Sequence, residues 1–408
     1  MKVFLSQSQL LDNKELVISG SKSESNRLLI LQELFPELSI SNLSDADDVR
    51  AMQQALSSDK DVIDIHHAGT TMRFLTAYYA LCSERELILT GSSRMQERPI
   101  GVLVEALRQL DARITYVNKE GYPPLKIKGY HSQGGNIELP ANISSQYITA
   151  LLLIGTKLPM GIELNLIGNI TSRPYIEMTL ALLEKLGAYT SFVENRIIVR
   201  PLINVKQNLF VVESDWSSAS YFYSLIALSP IGKVLKLKSY QKDSLQGDMK
   251  IVELYQKLGV ETRFKEGSVI ELEKVEKTVD SFNANLVETP DLAQTIAVTC
   301  FGLGIKCELT GLHTLKIKET DRLVALKEEL EKLGAVIDIT DSSLKIEKST
   351  SINSGVSIDT YQDHRMALAF APLALCTDLS INDAEVVTKS FIKFWSNLQE
   401  IGIQICEQ

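Results

Sequence analysis

The sequence predicts an α/β protein of two domains, each holding about three compact βαβ-type subdomains. Three observations carry this reading. The chain has 408 residues, more than one ordinary core organises. Apolar residues make up 45% and charged residues 23%, the balance of a globular protein. And one unit recurs: a helical segment ends in Leu-Gly and a β-rich segment follows. It reads LLEKLGAYTSFV from Leu182, LYQKLGVETRF from Leu254 and LEKLGAVIDI from Leu330. Looser copies are ALRQLDARITYV from Ala106 and NLQEIGIQI from Asn397, and MQQALSSDKDVIDI from Met52 is a sixth candidate.

Each part of the unit has a physical reason. Leu recurs at helical spacing and faces a core. Gly187, Gly259, Gly334 and Gly402 stand where a helix needs a left-handed residue just past its end. The strand that follows is alternating or continuously apolar. Leu-Gly after a helix is common in α/β proteins, so one copy means little. Gly187, Gly259 and Gly334, however, lie about 75 residues apart, too far for a solenoid and right for a subdomain used several times. No Pro/Gly/Ser-rich linker marks the domain boundary.

Composition narrows the function. A net charge of −9 argues against broad nucleic-acid binding, so any anion must sit in a pocket whose charge opposes the global sign. The five cysteines form no CxxC pair and are odd in number, which suits free thiols in a reducing compartment. The N-terminus has no signal-peptide core, and the longest apolar run, Met366 to Cys376, is too short to span a bilayer. The expectation is a cytoplasmic monomer with no membrane and no nucleic-acid partner.

Cations in short motifs are the main chemical signal. Ser19–Arg27 places small residues, Lys22, Ser23 and Arg27 before an apolar helical run, so a helix start there either binds an anion or is a plain N-cap with solvated charges. Its spacing is not that of a Walker loop. His67–Phe74 repeats the theme with Gly69 and Thr70; a simple cap is the competing reading. Arg94 and Arg98 share a loop closed by Pro99 and offer forked donors, or face solvent. Ser144, Ser145 and Gln146 open an apolar helix with more polar groups than capping needs. Ser172 would cap a helix whose first turn holds Pro174, with Tyr175 beside it. Lys318 and Arg322 fall at i, i+4 on one helical face with Glu319 between, a carboxylate among cations. Gln362-Asp363-His364-Arg365 runs straight into MALAFAPLALC, and charges abutting a buried helix are costly unless paired or liganded. Asp291 reads as an N-cap or first-turn carboxylate, and Lys389 sits in TKSF near the end.

Taken in order, SKSESNR, AGTTMR, RMQERP, SSQY, SRPY, ESDWSSASY, TPD, KIKETDR, QDHRM and TKSF closely resemble the motifs of the 3-phosphoshikimate 1-carboxyvinyltransferases, or 5-enolpyruvylshikimate-3-phosphate synthases. The resemblance runs from Ser19 to Phe391. Any one motif is weak; ten in sequence are specific. It implies the two-domain enolpyruvyl transferase fold, each domain three βαβαββ-type repeats around a helical core. It also implies that residues 20–212 form one domain, carrying most contacts to shikimate 3-phosphate. Residues 1–19 and 213–408 would form the other, with a hinge at crossings near Gly20 and Glu213.

The implied roles follow by position. Lys22, Ser23, Arg27, Ser144, Ser145, Gln146, Ser172, Tyr175, Asp291, Thr314 and Lys318 hold shikimate 3-phosphate. Lys22, Gly69, Arg94, Gln146, Arg322, Arg365 and Lys389 hold phosphoenolpyruvate. Asp291 and Glu319 are the acid/base carboxylates, with Lys22 and His364 assisting. Phosphoenolpyruvate carries about three negative charges, so cations must gather without neutralising themselves on protein carboxylates. The implied reaction requires no metal and no cofactor. The sequence departs from the family at His67, often Asn, at Phe74, often Pro, and at Thr314, often Asn. These put fine geometry in question. One rival is the sister enzyme acting on UDP-N-acetylglucosamine, whose mobile loop typically carries a Cys that GSSRMQERP lacks. The other is a non-catalytic anion-binding protein of the same fold.

Overall fold

A computed structural model describes residues 1–141 and 144–407. The chain divides into two compact units, one of Gly20–Val212 and one of Met1–Ser19 with Glu213–Gln408.

Within Gly20–Val212, strand Val62–Asp64 runs parallel to Glu86–Thr90, which pairs antiparallel with Leu125–Lys128, itself antiparallel to Arg113–Tyr116. Helix Gly69–Leu81 joins the parallel pair, and helix Gly101–Arg108 leads to the hairpin. The pattern is βαβαββ. Gly135–Pro140, Ile162–Ile167, Arg196–Val199 and Thr190–Val193 repeat it with helices Ser145–Gly155 and Arg173–Leu186. A third copy is short: among the described residues its sheet has two parallel strands, Ser39–Ser41 and Leu209–Val211, with helices Lys22–Leu34 and Asp47–Leu56.

The other unit has three four-stranded sheets among the described residues. In each, a parallel pair is followed by two antiparallel strands. Lys14–Val17 pairs with Val234–Lys238, Ser281–Asn285 with Lys306–Thr310, and Val356–Ile358 with Leu379–Ile381. The N-terminal strand Val3–Ser6 completes the last sheet between Leu379–Ile381 and Gln404–Glu407.

The two helices of a repeat differ in kind. Trp216–Ala227, Ala293–Gly302 and His364–Phe370 pack on one another and are buried nearly all round, so they read as apolar runs without a polar face. Lys22–Leu34, Gly69–Leu81 and Ser145–Gly155 pack on one another in the other unit, although the first two turns of Lys22–Leu34 are polar in sequence. The second helix of each repeat is amphipathic, as in Arg173–Leu186 and Arg322–Lys332.

The glycine that ends these second helices is left-handed every time: φ is 116° at Gly187, 84° at Gly259, 98° at Gly334 and 106° at Gly402. In the looser copy Asp111 takes that place at φ 66°, a conformation Asp tolerates better than most side chains. The Met52 candidate is not a copy. Its helix Asp47–Leu56 ends without such a residue, and strand Val62–Asp64 after it opens the next sheet. Among the described residues no helix is long and apolar enough to cross a membrane.

Candidate active site

In Gly20–Val212 the motif residues collect at helix N-termini, where unsatisfied N–H groups and the helix dipole favour anions. In the other unit Arg322, His364 and Arg365 stand at helix starts, while Lys318 and Lys389 close 3₁₀ turns.

In Gly20–Val212, Ser21 caps helix Lys22–Leu34 by accepting from Glu24 N. Lys22 Nζ lies 3.2 Å from Asp48 Oδ2, at the start of the next helix, and Thr71 Oγ1 donates to Asp48 O at 3.1 Å. Gln146 Nε2 donates to Thr70 Oγ1 at 3.0 Å. The starts of four helices thereby meet. Arg27, 4% exposed, donates to Ser23 O, Thr179 Oγ1, Tyr175 O and Thr149 Oγ1, which ties in a fifth. Burial lowers the pKa of Arg27 to about 10, opposed by Tyr175 and Glu24. Most of its donors are spent on the protein, so it braces the helix starts as well as facing Ser23. Ser144 caps helix Ser145–Gly155 through Gln146 N.

Ser172 stands at the N-cap of Arg173–Leu186, but it adopts φ 53° and its side chain makes no cap bond, contrary to expectation. A left-handed N-cap turns the hydroxyl away from the helix amides. Gly69 begins helix Gly69–Leu81, and a Cβ there would come within 2.7 Å of Arg98 Nη1, so a larger residue would have to displace the end of the Arg98 side chain. Arg94 sits on the short helix Ser93–Gln96, capped by Ser92, and pairs with Glu97 at 3.0 Å; Ser92 Oγ also contacts His67 Nδ1 at 2.8 Å.

The second unit holds a denser network. Arg322, 2% exposed, reaches Asp291 Oδ1 at 3.0 Å, Glu319 Oε2 at 2.9 Å and Asp363 Oδ2 at 2.6 Å. Arg365 donates to Asp291 Oδ2 at 3.0 Å and to Asp291 O at 3.1 Å, with Ser217 Oγ and Tyr221 Oη each at 3.4 Å. Lys389 Nζ lies 2.7 Å from Glu319 Oε1, and Lys318 Nζ lies 3.7 Å from Asp291. Ser217 Oγ also donates to Asp248. Lys318 does not share a helical face with Arg322: it follows a 3₁₀ turn at ψ −148°, and Asp321 caps the helix that Arg322 begins. The two cations converge on Asp291 anyway.

Burial works against the charge of Asp291, but Arg365, Lys318 and Arg322 outweigh it and hold the carboxyl well below its usual range. Burial lowers Lys318, against the pull of Asp291. Asp248 is pushed up to about 6, by burial first and by the charge of Asp291 second. His364 is 2% exposed, with Nδ1 3.5 Å from Asp363 Oδ1. Thr314 Oγ1 is buried with no hydrogen-bond partner among the described residues.

Two differences from the sequence reading stand out. The cations are not left unneutralised: Lys22, Arg94, Arg322, Arg365 and Lys389 each pair with a carboxylate. At Arg322 and Arg365 the acids are needed because a buried, unpaired guanidinium is very costly. And Asp48, Asp248, Ser217 and Asp363 belong to these clusters but were not among the residues assigned roles. Asp363 had a signal, a charge abutting an apolar helix. Asp48 and Asp248 had none, since acids at helix starts are common.

The sequence model of EPSP synthase (3-phosphoshikimate 1-carboxyvinyltransferase) matches residues 53–398. The 3-phosphoshikimate 1-carboxyvinyltransferase of Bacteroides fragilis (strain YCH46) is 45% identical over 392 residues, 95% of each chain. That of Aliivibrio salmonicida is 35% identical over 419 residues, 95% of this chain and 96% of the other. A solved EPSP synthase from Acinetobacter baumannii covers all of both chains with a TM-score of 0.75 at 20% identity, a likeness of fold.

Proposed function

This chain belongs to the EPSP synthase (3-phosphoshikimate 1-carboxyvinyltransferase) family, and on that premise we propose how its own residues carry the reaction. The enzyme transfers the enolpyruvyl group of phosphoenolpyruvate to the 5-hydroxyl of shikimate 3-phosphate and releases phosphate. Ser23, Arg27, Ser144, Ser145, Gln146, Ser172 and Tyr175 hold shikimate 3-phosphate with Asp291, Thr314 and Lys318. Lys22, Gly69, Arg94, Gln146, Arg322, Arg365 and Lys389 hold phosphoenolpyruvate. The observation that carries this reading is the convergence of Arg322, Arg365 and Lys318 on Asp291, with Glu319 set between Arg322 and Lys389.

The chemistry follows from that arrangement. Glu319 delivers a proton to the methylene carbon of phosphoenolpyruvate, which makes the neighbouring carbon electrophilic. The 5-hydroxyl attacks it, and its proton passes to Asp291 or Lys22. Asp291, held ionised by three cations, is at first an acceptor that orients the hydroxyl. When the triply charged substrate shares Arg322 and Arg365, Asp291 is screened less and its proton affinity rises. The tetrahedral adduct then loses phosphate: Glu319, now a carboxylate, takes a proton back from the new methyl group, the carbon–carbon double bond re-forms, and the proton taken from the hydroxyl leaves with the phosphate. A cytoplasmic monomer needing no metal or cofactor is part of the same proposal.

Phosphate release measured with phosphoenolpyruvate and shikimate 3-phosphate tests the reading. Turnover with that pair and none with UDP-N-acetylglucosamine is expected. The reverse pattern points to the sister enzyme, and turnover with neither points to a non-catalytic protein.

A further inference from the structure

The strongest feature outside the reacting groups is a clamp on the segment that leads into Asp363. Helix Arg322–Lys332 presents Arg322 and Glu329 seven residues apart, two turns along one face. Both grip the segment 359–363. At one end Arg322 Nε donates to Asp363 Oδ2 at 2.6 Å. At the other, Glu329, with no exposed surface, accepts from Asp359 N at 3.0 Å and from Tyr361 Oη at 2.6 Å. Lys332 Nζ lies 2.8 Å from both Glu329 oxygens and 2.7 Å from Asp359 Oδ2, which compensates the buried charge.

Between the two grips the backbone is strained. Tyr361 at φ 53° and Gln362 at φ 57° are consecutive left-handed residues, and neither is glycine or asparagine. Asp363 N closes the turn on Thr360 O at 2.8 Å. Such a turn persists only where its surroundings over-determine it. The turn fixes where the chain enters helix His364–Phe370, and so where Asp363 meets Arg322 and Arg365 meets Asp291. Tyr361 is kept a phenol by burial and by two carboxylates, Glu328 Oε2 and Glu329 Oε1, each 2.6 Å from its hydroxyl, whose single proton they share.

We propose that Glu329 and Tyr361 are positioning residues for phosphoenolpyruvate: their hydrogen bond clamps the strained Tyr361–Gln362 turn and thereby sets Arg365 and Arg322 for the substrate. The inference rests on the function proposed above for those two arginines. Glu329 acts through Tyr361 and touches no substrate.

The test uses the full chain and three variants: Tyr361→Phe, Glu329→Gln, and Tyr361→Phe with Gln362→Gly. Tyr361→Phe removes the hydroxyl and little else. It should raise KM for phosphoenolpyruvate about tenfold while KM for shikimate 3-phosphate changes less than about twofold, since small misplacements of positioning groups cost this much. Glu329→Gln should show the same split more strongly. The melting temperature of Tyr361→Phe should stay within about 3 °C of wild type. Adding Gln362→Gly should restore most of kcat/KM, because glycine holds the left-handed turn without a clamp. Hydrogen exchange at the amides of 363–366 should quicken in Tyr361→Phe and slow again in the double variant. Unchanged kinetics and exchange in Tyr361→Phe overturn the proposal. So does an equal loss for both substrates that tracks a lowered melting temperature, or a double variant no better than the single. Wild-type protein that turns over neither substrate removes the functional reading instead, and the exchange pattern still decides whether the clamp exists.

Discussion

Asp291 and Glu319 each lie within hydrogen-bond reach of two cations, and the proposed chemistry divides between them. Replacing either carboxylate by its amide keeps shape and removes proton transfer. Glu319→Gln and Asp291→Asn should each lower kcat by about a hundredfold or more, the scale of a positioned acid or base. Stopped-flow or steady-state phosphate release measures it, and near-normal turnover in both variants means that the carboxylates are structural. A second prediction concerns Lys274, 6% exposed, whose pKa burial lowers to about 8 and whose Nζ donates to Leu258 O at 3.2 Å. Its unfolded pKa is near 10.4, so between about 8 and 10.4 the unfolded chain binds more protons and stability rises with pH. Below about 8 the penalty for burying the charge is complete. Lys274→Met should therefore stabilise the protein at pH 7 by about 1–3 kcal/mol, less whatever the lost Leu258 bond contributes, and the gain should vanish above about pH 10.4. Urea titrations at pH 7 and pH 10.5 compare the two, and a gain independent of pH excludes the charge as its cause.

At the scale of elements, the helix–glycine–strand junction decides what was legible. Leu at helical spacing followed by Gly revealed four helix ends, because a left-handed residue there has few alternatives to glycine. Asp111 in place of glycine left a fifth end legible only as a looser copy, and the Met52 segment imitated a sixth. Helix starts were legible as small polar residues before apolar runs, and most assigned residues of Gly20–Val212 stand at one, whereas Thr314, Lys318, Glu319 and Lys389 do not. Pairings were not legible. Spacing alone puts Lys318 and Arg322 on one helix, whereas Lys318 ends a 3₁₀ turn and the helix begins only at Arg322. For every paired cation of the site but Arg94, a neutralising acid comes from an element distant in sequence, such as Asp48 for Lys22 and Asp363 for Arg322. The junctions give a paired prediction. At Gly259 φ is 84° and a Cβ would lie 2.6 Å from Val275 O, so Gly259→Ala should destabilise by about 2 kcal/mol. Asp111→Gly changes the same kind of junction in the permitted direction and should shift stability by less than about 1 kcal/mol. Denaturant midpoints measure both. Equal losses would mean that the left-handed conformation does not govern these junctions.

For the whole molecule, the proposed ligands of each substrate are drawn from both units. Lys22, Ser23, Arg94, Ser144, Gln146 and Ser172 lie in Gly20–Val212, while Asp291, Lys318, Arg322, Arg365 and Lys389 lie in the other unit. Each unit's cations are already paired with its own carboxylates, so a substrate anion gains most where it also rearranges those pairs. Lys318 and Asp291, assigned to shikimate 3-phosphate, touch the same network as Arg322 and Arg365, assigned to phosphoenolpyruvate. Binding one ligand therefore alters the partners of the other's cations, and that differential interaction is what coupling requires. Shikimate 3-phosphate should tighten phosphoenolpyruvate by about 5–150-fold, the usual range of such coupling, and linkage demands the same factor in reverse. Saturating shikimate 3-phosphate at about 100 times its Kd should also raise unfolding stability by about 2.7 kcal/mol. Titration calorimetry in both orders, with hydrogen exchange read in each unit, tests this. Protection confined to Gly20–Val212, together with independent binding of the two ligands, would show that the residues assigned in the second unit do not contact shikimate 3-phosphate.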